Sequence, residues 1–209
     1  MSDWSSLKGP SVDFETTKAQ RAAASTKIVI AGGFGVGKST LVGAVSEIDP
    51  LRTEALVTNE SEGVDDLAAV PTKATTTVAM DFGRLTLAED LVLYLFGTPG
   101  QRRFWFMWDD LCRGAIGAIV LVDVARLDES FSPLDYFESK GIPFIVAVNE
   151  FDGVPRYPVD EIAAALALPP EVPIISLDAR DREQAKGALV KITEYSLMRL
   201  RESLTVNAT

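Results

Sequence analysis

From Thr26 onward the apolar positions fall into short continuous runs separated by stretches of helical spacing. Lys27 to Ala31 (Lys-Ile-Val-Ile-Ala) reads as a buried strand, and Lys38 to Ile48 as a helix. Val78 to Leu87 alternates, turns at Ala88-Glu89-Asp90 and continues into Leu91 to Phe96, which predicts an antiparallel hairpin. Ala115 to Val124 and Pro143 to Val148 are almost wholly apolar, as strands are when helices cover both faces. Val172 to Leu177 is the last strand. Helices are expected at about 103–113, 127–140, 158–167 and 181–203. The alternation predicts an α/β fold: about six strands, mostly parallel with one antiparallel, and helices on both faces.

Two stretches fall outside that pattern. Residues 1–25 are rich in Ser, Thr, Lys and Ala without a sustained period, and are expected to form a mobile arm with a helical stretch around Thr17 to Ala24. Residues 26–209 then form the single domain. Inside it, residues 49–76 read as a long polar segment, a length that inside a compact domain goes with function or mobility.

Composition narrows the chemistry. The chain of 209 residues carries a formal net charge of -10, which disfavours nucleic acid and anionic lipid as bulk partners. One cysteine, Cys112, rules out a disulfide within the chain and a cysteine zinc site. With no histidine, imidazole catalysis and histidine–metal centres are excluded. No apolar run is long enough to span a bilayer, and neither a signal peptide nor a lipid anchor is evident. The expectation is a cytoplasmic protein, with any membrane recruitment going through partners.

Gly32-Gly33-Phe34-Gly35-Val36-Gly37-Lys38-Ser39 matches G-x-x-x-x-G-K-S, the phosphate-binding P-loop. Small residues let successive N–H groups turn toward a phosphate, and a helix starting near Lys38 aims its positive end at the anion. Lys38 reaches the outer phosphates, the Ser39 hydroxyl can ligate Mg2+, and the cradle extends to Thr40. The motif sits after an apolar strand and opens a helix, which argues against a plain glycine turn.

Three later segments follow predicted strands. Asn149-Glu150-Phe151-Asp152 resembles the N-K-x-D guanine motif of Ras-like GTPases, with Glu150 where Lys is usual. A carboxylate at Asp152 accepts from the ring N–H and the exocyclic amine of guanine, donors that adenine lacks there. The bland alternative is an Asn/Asp/Gly turn. Gly97-Thr98-Pro99-Gly100-Gln101 is similar to the D-x-x-G-Q segment of the same superfamily, with Gly97 in the place of the metal-supporting Asp. That likeness gives Gly100 an N–H for the γ-phosphate and Gln101 the attacking water. Thr75-Thr76-Thr77 resembles the switch threonine, Thr77 aligning best as a Mg2+ ligand, although threonines also simply open strands. Asp178-Ala179-Arg180 resembles the loop whose backbone N–H meets the guanine oxygen.

In this order, these features over residues 27–203 resemble a Ras-like small GTPase. The runs Ala31 to Lys38, Thr75 to Gly83 and Leu95 to Gln101, with Arg103 to Trp108, resemble the bacterial MglA-related branch, and within it the D component of actinobacterial conservons. The resemblance implies GTP/GDP and Mg2+ as cofactors, a roadblock (MglB-like) partner and a sensor-kinase-like protein. It further implies that Gly97 and Glu150 are features of the branch.

Other expectations concern mechanism. Phe34 either crowds the γ-phosphate and slows hydrolysis or turns outward. Phe104 to Trp108 cannot all face one core from one helix, so part of this run is expected to be a partner surface beside Gln101, with core packing the alternative. Arg52, Arg102 and Arg103 are candidates for an internal arginine finger, with Arg52 and Arg103 ranked first. Three functional classes stay open: a slowly hydrolysing GTPase switch, a nucleotide-locked scaffold, and a P-loop kinase or ATPase.

Overall fold

The computed structural model describes residues 24–49, 51–58, 75–100 and 106–206, with backbone alone for 51–58, 75–79 and 206. In chain order the elements are β1 (Ala24–Gly32), α1 (Lys38–Val45), β2 (Leu51–Thr58), β3 (Thr75–Ala88), β4 (Leu91–Gly97), α2 (Trp108–Cys112), β5 (Gly117–Val122), α3 (Asp128–Lys140), β6 (Phe144–Asn149), α4 (Val159–Ala165), β7 (Ile174–Leu177) and α5 (Arg182–Val206). They build one seven-stranded sheet in the order β2-β3-β4-β1-β5-β6-β7. The pairs β1–β4, β1–β5, β5–β6 and β6–β7 are parallel, while β3 runs antiparallel to both β2 and β4. β3 is therefore the one strand of reversed direction, as the hairpin pattern predicts.

The strand count differs from the expected six or so because β2 lies inside the stretch read as polar and irregular. Leu51–Thr58 has only a weak period, and its hydrogen bonds come from the outer edge of β3, in register from Leu51 opposite Phe82 to Thr58 opposite Thr75. Pairing of this kind is tertiary, and no local period announces it.

Strand alternation sorts the core. Ile28 and Ile30 of β1 pack on one face with Leu41 and Val42 of α1 and Ile192 of α5. Val29 and Ala31 pack on the other with Trp108, Phe137 of α3 and Ile162 of α4. The central strands β5 and β6 are buried along their whole length, which explains their apolar sequences. Phe137 is fully buried, and its ring lies 5.9 Å from that of Trp108 and 6.0 Å from that of Phe144. Phe137→Ala is expected to cost about 3–5 kcal/mol of unfolding free energy, read as a lower urea midpoint at unchanged slope.

Every parallel strand points its C-terminal end at the same rim. The loops after β1, β4, β5, β6 and β7 meet there, which is where open α/β sheets bind ligands.

Candidate functional site

β1 ends in the loop Gly33 to Gly37, and α1 begins at Lys38. Gly37 caps the helix in the left-handed region (φ 105°) with no side-chain cap, so the first N–H groups of α1 open onto the loop. A side chain at Gly37 would also collide with Asn149, whose Nδ2 would lie 2.5 Å from its Cβ. The Lys38 ammonium folds back along the loop and donates to the Gly32 carbonyl at 3.0 Å and the Gly33 carbonyl at 2.6 Å. It is thereby held at the mouth of the cradle.

Burial pulls Lys38 down from the ordinary lysine value to about 8; Asp81 and Glu129 oppose the shift and Arg126 adds to it. The sign of the consequence is fixed. Above about pH 8 the folded chain releases a proton that the unfolded chain keeps up to the usual lysine range. Stability of the empty protein therefore rises with pH across that window. A bound phosphate favours the charged ammonium, so phosphate affinity falls across the same window. Calorimetry of nucleotide binding in buffers of different ionisation enthalpy is expected to show proton uptake at about pH 9 and none at about pH 7.

A carboxylate stands beside the cradle where the sequence offered none. Asp81 lies on β3 directly opposite Gly97 of β4 and is buried. Its Oδ2 accepts the Ser39 hydroxyl at 2.5 Å. A Cβ placed on Gly97 would lie 3.0 Å from both the Cβ and the Oδ2 of Asp81. The space that an aspartate side chain on residue 97 would enter is thus filled from the neighbouring strand. Gly97 is small because Asp81 is there. The signal was present in the sequence as a lone acid in the middle of the strand pattern Val78 to Phe82, but only strand register gives it meaning.

Ser39 and Asp81 offer hard oxygen donors, and among the described residues no cluster of three acidic, Cys or His side chains builds an all-protein metal cage. A donor set of that kind fits Mg2+ held between one hydroxyl, a supporting carboxylate and substrate phosphates. Gly100 closes the mouth: a Cβ there would fall 2.9 Å from the Gly33 carbonyl and from Lys38 Nζ. Thr98 is buried beside it, and its hydroxyl has no hydrogen-bond partner among the described residues.

Asn149, at the end of β6, ties three loops together. Its Nδ2 donates to the Val36 carbonyl at 2.9 Å, and its Oδ1 accepts the Ala179 N–H at 2.9 Å. The phosphate loop, the 149–152 segment and the loop after β7 are therefore fixed against one another by one buried amide. Within the Asp178-Ala179-Arg180 loop, the Ala179 N–H is taken by Asn149. Asp152 stands at the rim, where Arg180 forks onto both carboxylate oxygens at 2.6 and 3.1 Å. The same guanidinium reaches Asp178 at 2.7 Å and holds that carboxyl down at about 2, while Asp152 is lowered by the same cation. These pairs are exposed, so they contribute little to stability and yield readily to a ligand. Glu150 forms an ion pair with Arg156 at 2.7 Å.

Two more residues at the cradle were missed in the sequence. Arg126, after β5, donates to the Phe34 carbonyl at 2.8 Å and pairs with Asp123 at 2.9 Å. Glu129 lies so close to Gly33 that a Cβ there would collide with its carboxylate. Neither belongs to a recognisable spacing. Phe34 is 65% exposed. Of the aromatic run, Trp108 is buried, its Nε1 donating to the Pro99 carbonyl at 3.4 Å, while Phe106 is exposed. Core and surface share that run. Gln101, Arg102 and Arg103 lie outside the described residues. Thr77 and Arg52 are described in backbone only, opposite Leu56 and Asp81 respectively.

The model of a family described as conserved hypothetical ATP binding proteins matches residues 30–199. An uncharacterized protein of Methanocaldococcus jannaschii, MJ1339, is 34% identical over 128 residues, covering 60% of this chain and 70% of that protein. Ras-related protein Rab-1C of Dictyostelium discoideum is 25% identical over 177 residues, covering 79% of this chain and 78% of that one. Among solved structures, the G-domain of FeoB from Methanococcus jannaschii superposes with a TM-score of 0.53 at 16% identity, over 82% of this chain and 98% of that domain. The fold is that of a Ras-like G domain.

Proposed function

This chain belongs to the family described as conserved hypothetical ATP binding proteins; within it, we propose that this chain's own ligand is a guanine nucleotide and that it works as a slowly hydrolysing GTPase switch. The observation that carries this reading is the Asn149 knot, which ties the phosphate loop, the start of the 149–152 segment and the loop after β7 to one another. An ionised Asp152 accepts from two guanine donors. Adenine presents none there and would leave a carboxylate unpaired in the contact. The likeness to Rab-1C supports the same base.

In this reading Lys38 and the α1 N-terminus bind the β- and γ-phosphates, and Ser39 with Asp81 holds Mg2+, which when bound neutralises charge on those phosphates. Thr77 joins that ligand set in the triphosphate state. Gly100 supplies an N–H, Gln101 orients water, and Arg52 or Arg103 offers a cation. A hydrolysis-poor scaffold would follow from a missing carboxylate at Gly97 and from a Phe34 ring that crowds the γ-phosphate. With Asp81 opposite Gly97 and Phe34 exposed, the switch is favoured.

The resemblance to conservon D components and MglA relatives extends the proposal to a roadblock-type partner, with a sensor-kinase-like protein upstream. The exposed Phe106 in the middle of the aromatic run offers such a partner an anchor. Multiple-turnover phosphate release tests both parts. The chain alone is expected to turn over at roughly 10⁻⁴–10⁻³ s⁻¹, and a cognate roadblock protein to change that rate at least about tenfold. A rate that no roadblock protein alters, with Phe106→Ala equally silent, would remove the partner from the account.

A further inference from the structure

The rim opposite the phosphates, where β1, β4, β5 and β6 begin, holds an apolar groove of about 960 Å³. Leu91, Leu93, Ile116 and Phe144 line it from the sheet, and Leu197 and Leu200 line it from α5. That helix is 25 residues long, roughly 37 Å, and its last turns expose Leu197, Leu200 and Leu204. Their spacing of three and four puts them in one stripe along the helix.

The chain enters the fold at this groove. Ala24 opens β1 opposite Leu91, its N–H donating to the Asp90 carbonyl at 2.7 Å, and Thr26 lines the groove two residues later. The 23 residues before Ala24 therefore depart from the groove's own edge, and they carry Trp4, Leu7, Val12 and Phe14. At about 3.3 Å per extended residue, Phe14 can reach as far as roughly 33 Å from Ala24, while Tyr195 to Leu204 spans only roughly 14 Å of helix. Charge separates the possible occupants. In this segment Asp3, Asp13 and Glu15 balance Lys8, Lys18 and Arg21. A second copy would bring together two chains of net charge -10, and an anionic lipid surface would repel one. Tethering also gives the chain's own segment an effective concentration that a free partner lacks.

We propose that residues 1–23 of the same chain pack along this groove against Leu197, Leu200 and Leu204. Limited proteolysis of the full chain is the test, because trypsin cleaves after Lys8, Lys18 and Arg21. The fragment is expected to be released at least about tenfold faster from Leu197→Asp/Leu200→Asp than from the unaltered chain, whose protection does not depend on protein concentration. Equal release from both would overturn the proposal. So would protection that rises with concentration, which assigns the groove to a second copy. Protection gained only with phosphatidylcholine/phosphatidylglycerol vesicles would overturn it in favour of a lipid surface. Should the double variant fail to fold, Phe14→Cys/Leu200→Cys in a Cys112→Ser chain replaces it. An intrachain disulfide in monomeric protein on mild oxidation is expected, and its absence overturns the proposal.

Discussion

Asp152→Asn is expected to lower GDP affinity by about a hundredfold or more and to raise affinity for the xanthine nucleotide in its place. The amide keeps one acceptor for the ring N–H but turns a donor toward the exocyclic amine of guanine. Losing one charge-assisted hydrogen bond and leaving its partner unpaired costs about 3 kcal/mol, which corresponds to that factor. Xanthine carries a carbonyl where guanine carries the amine, so the same amide matches it. The fold is expected to survive the change, because Asp152 is exposed and its ion pair with Arg180 is a surface one. Parallel titrations with labelled GDP and XDP check both directions. Equal losses for the two bases would mean that residue 152 does not read the base.

The second large effect lies at Asp81. Replacing it with alanine is expected to reduce the Mg2+ affinity of the nucleotide complex about 10- to 100-fold, as removal of a hydrogen-bonded support behind a metal ligand commonly does. Nucleotide dissociation measured against Mg2+ concentration reads this without hydrolysis, and the variant's release in high Mg2+ should approach that of the native chain in EDTA. A swap provides the control. Asp81→Gly with Gly97→Asp returns a carboxylate to the same space from the other strand, since the Gly97 Cβ direction points at Asp81 Oδ2 from 3.0 Å. Recovery of Mg2+ dependence is expected. A variant at Asp81 that keeps full Mg2+ dependence would show that Ser39 needs no such partner.

These two residues mark how far the sequence could be read. The position of Asp152 was legible because it is set locally: it lies three residues beyond Asn149, the last residue of β6. The P-loop was legible for the same reason, its glycines and Lys38 being consecutive. The continuous apolar runs of β5 and β6 announced a sheet covered on both faces, and both strands are buried throughout. Asp81 was not legible, because its meaning depends on which residue of β4 it faces, and the register of two strands is a tertiary fact. Gly97 looked like a lost carboxylate for that reason. β2 escaped because the edge of β3 supplies its order. Arg126 and Glu129 escaped because they come to the cradle from the loop after β5 and the start of α3, far away in the chain. The Asn149–Ala179 bond joins residues 30 apart, a pairing that no local spacing announces.

The claim at the centre is the base. The family's description names ATP, while Asn149 and Asp152 argue for guanine. Displacement of labelled GDP from the full chain with Mg2+ present, titrated in parallel with GTP and with ATP, tests this most directly. GTP is expected to displace at near-stoichiometric concentration, and ATP to fail even at about a thousandfold higher concentration, a gap of roughly 4 kcal/mol. Displacement by ATP over the same range as GTP would contradict the account.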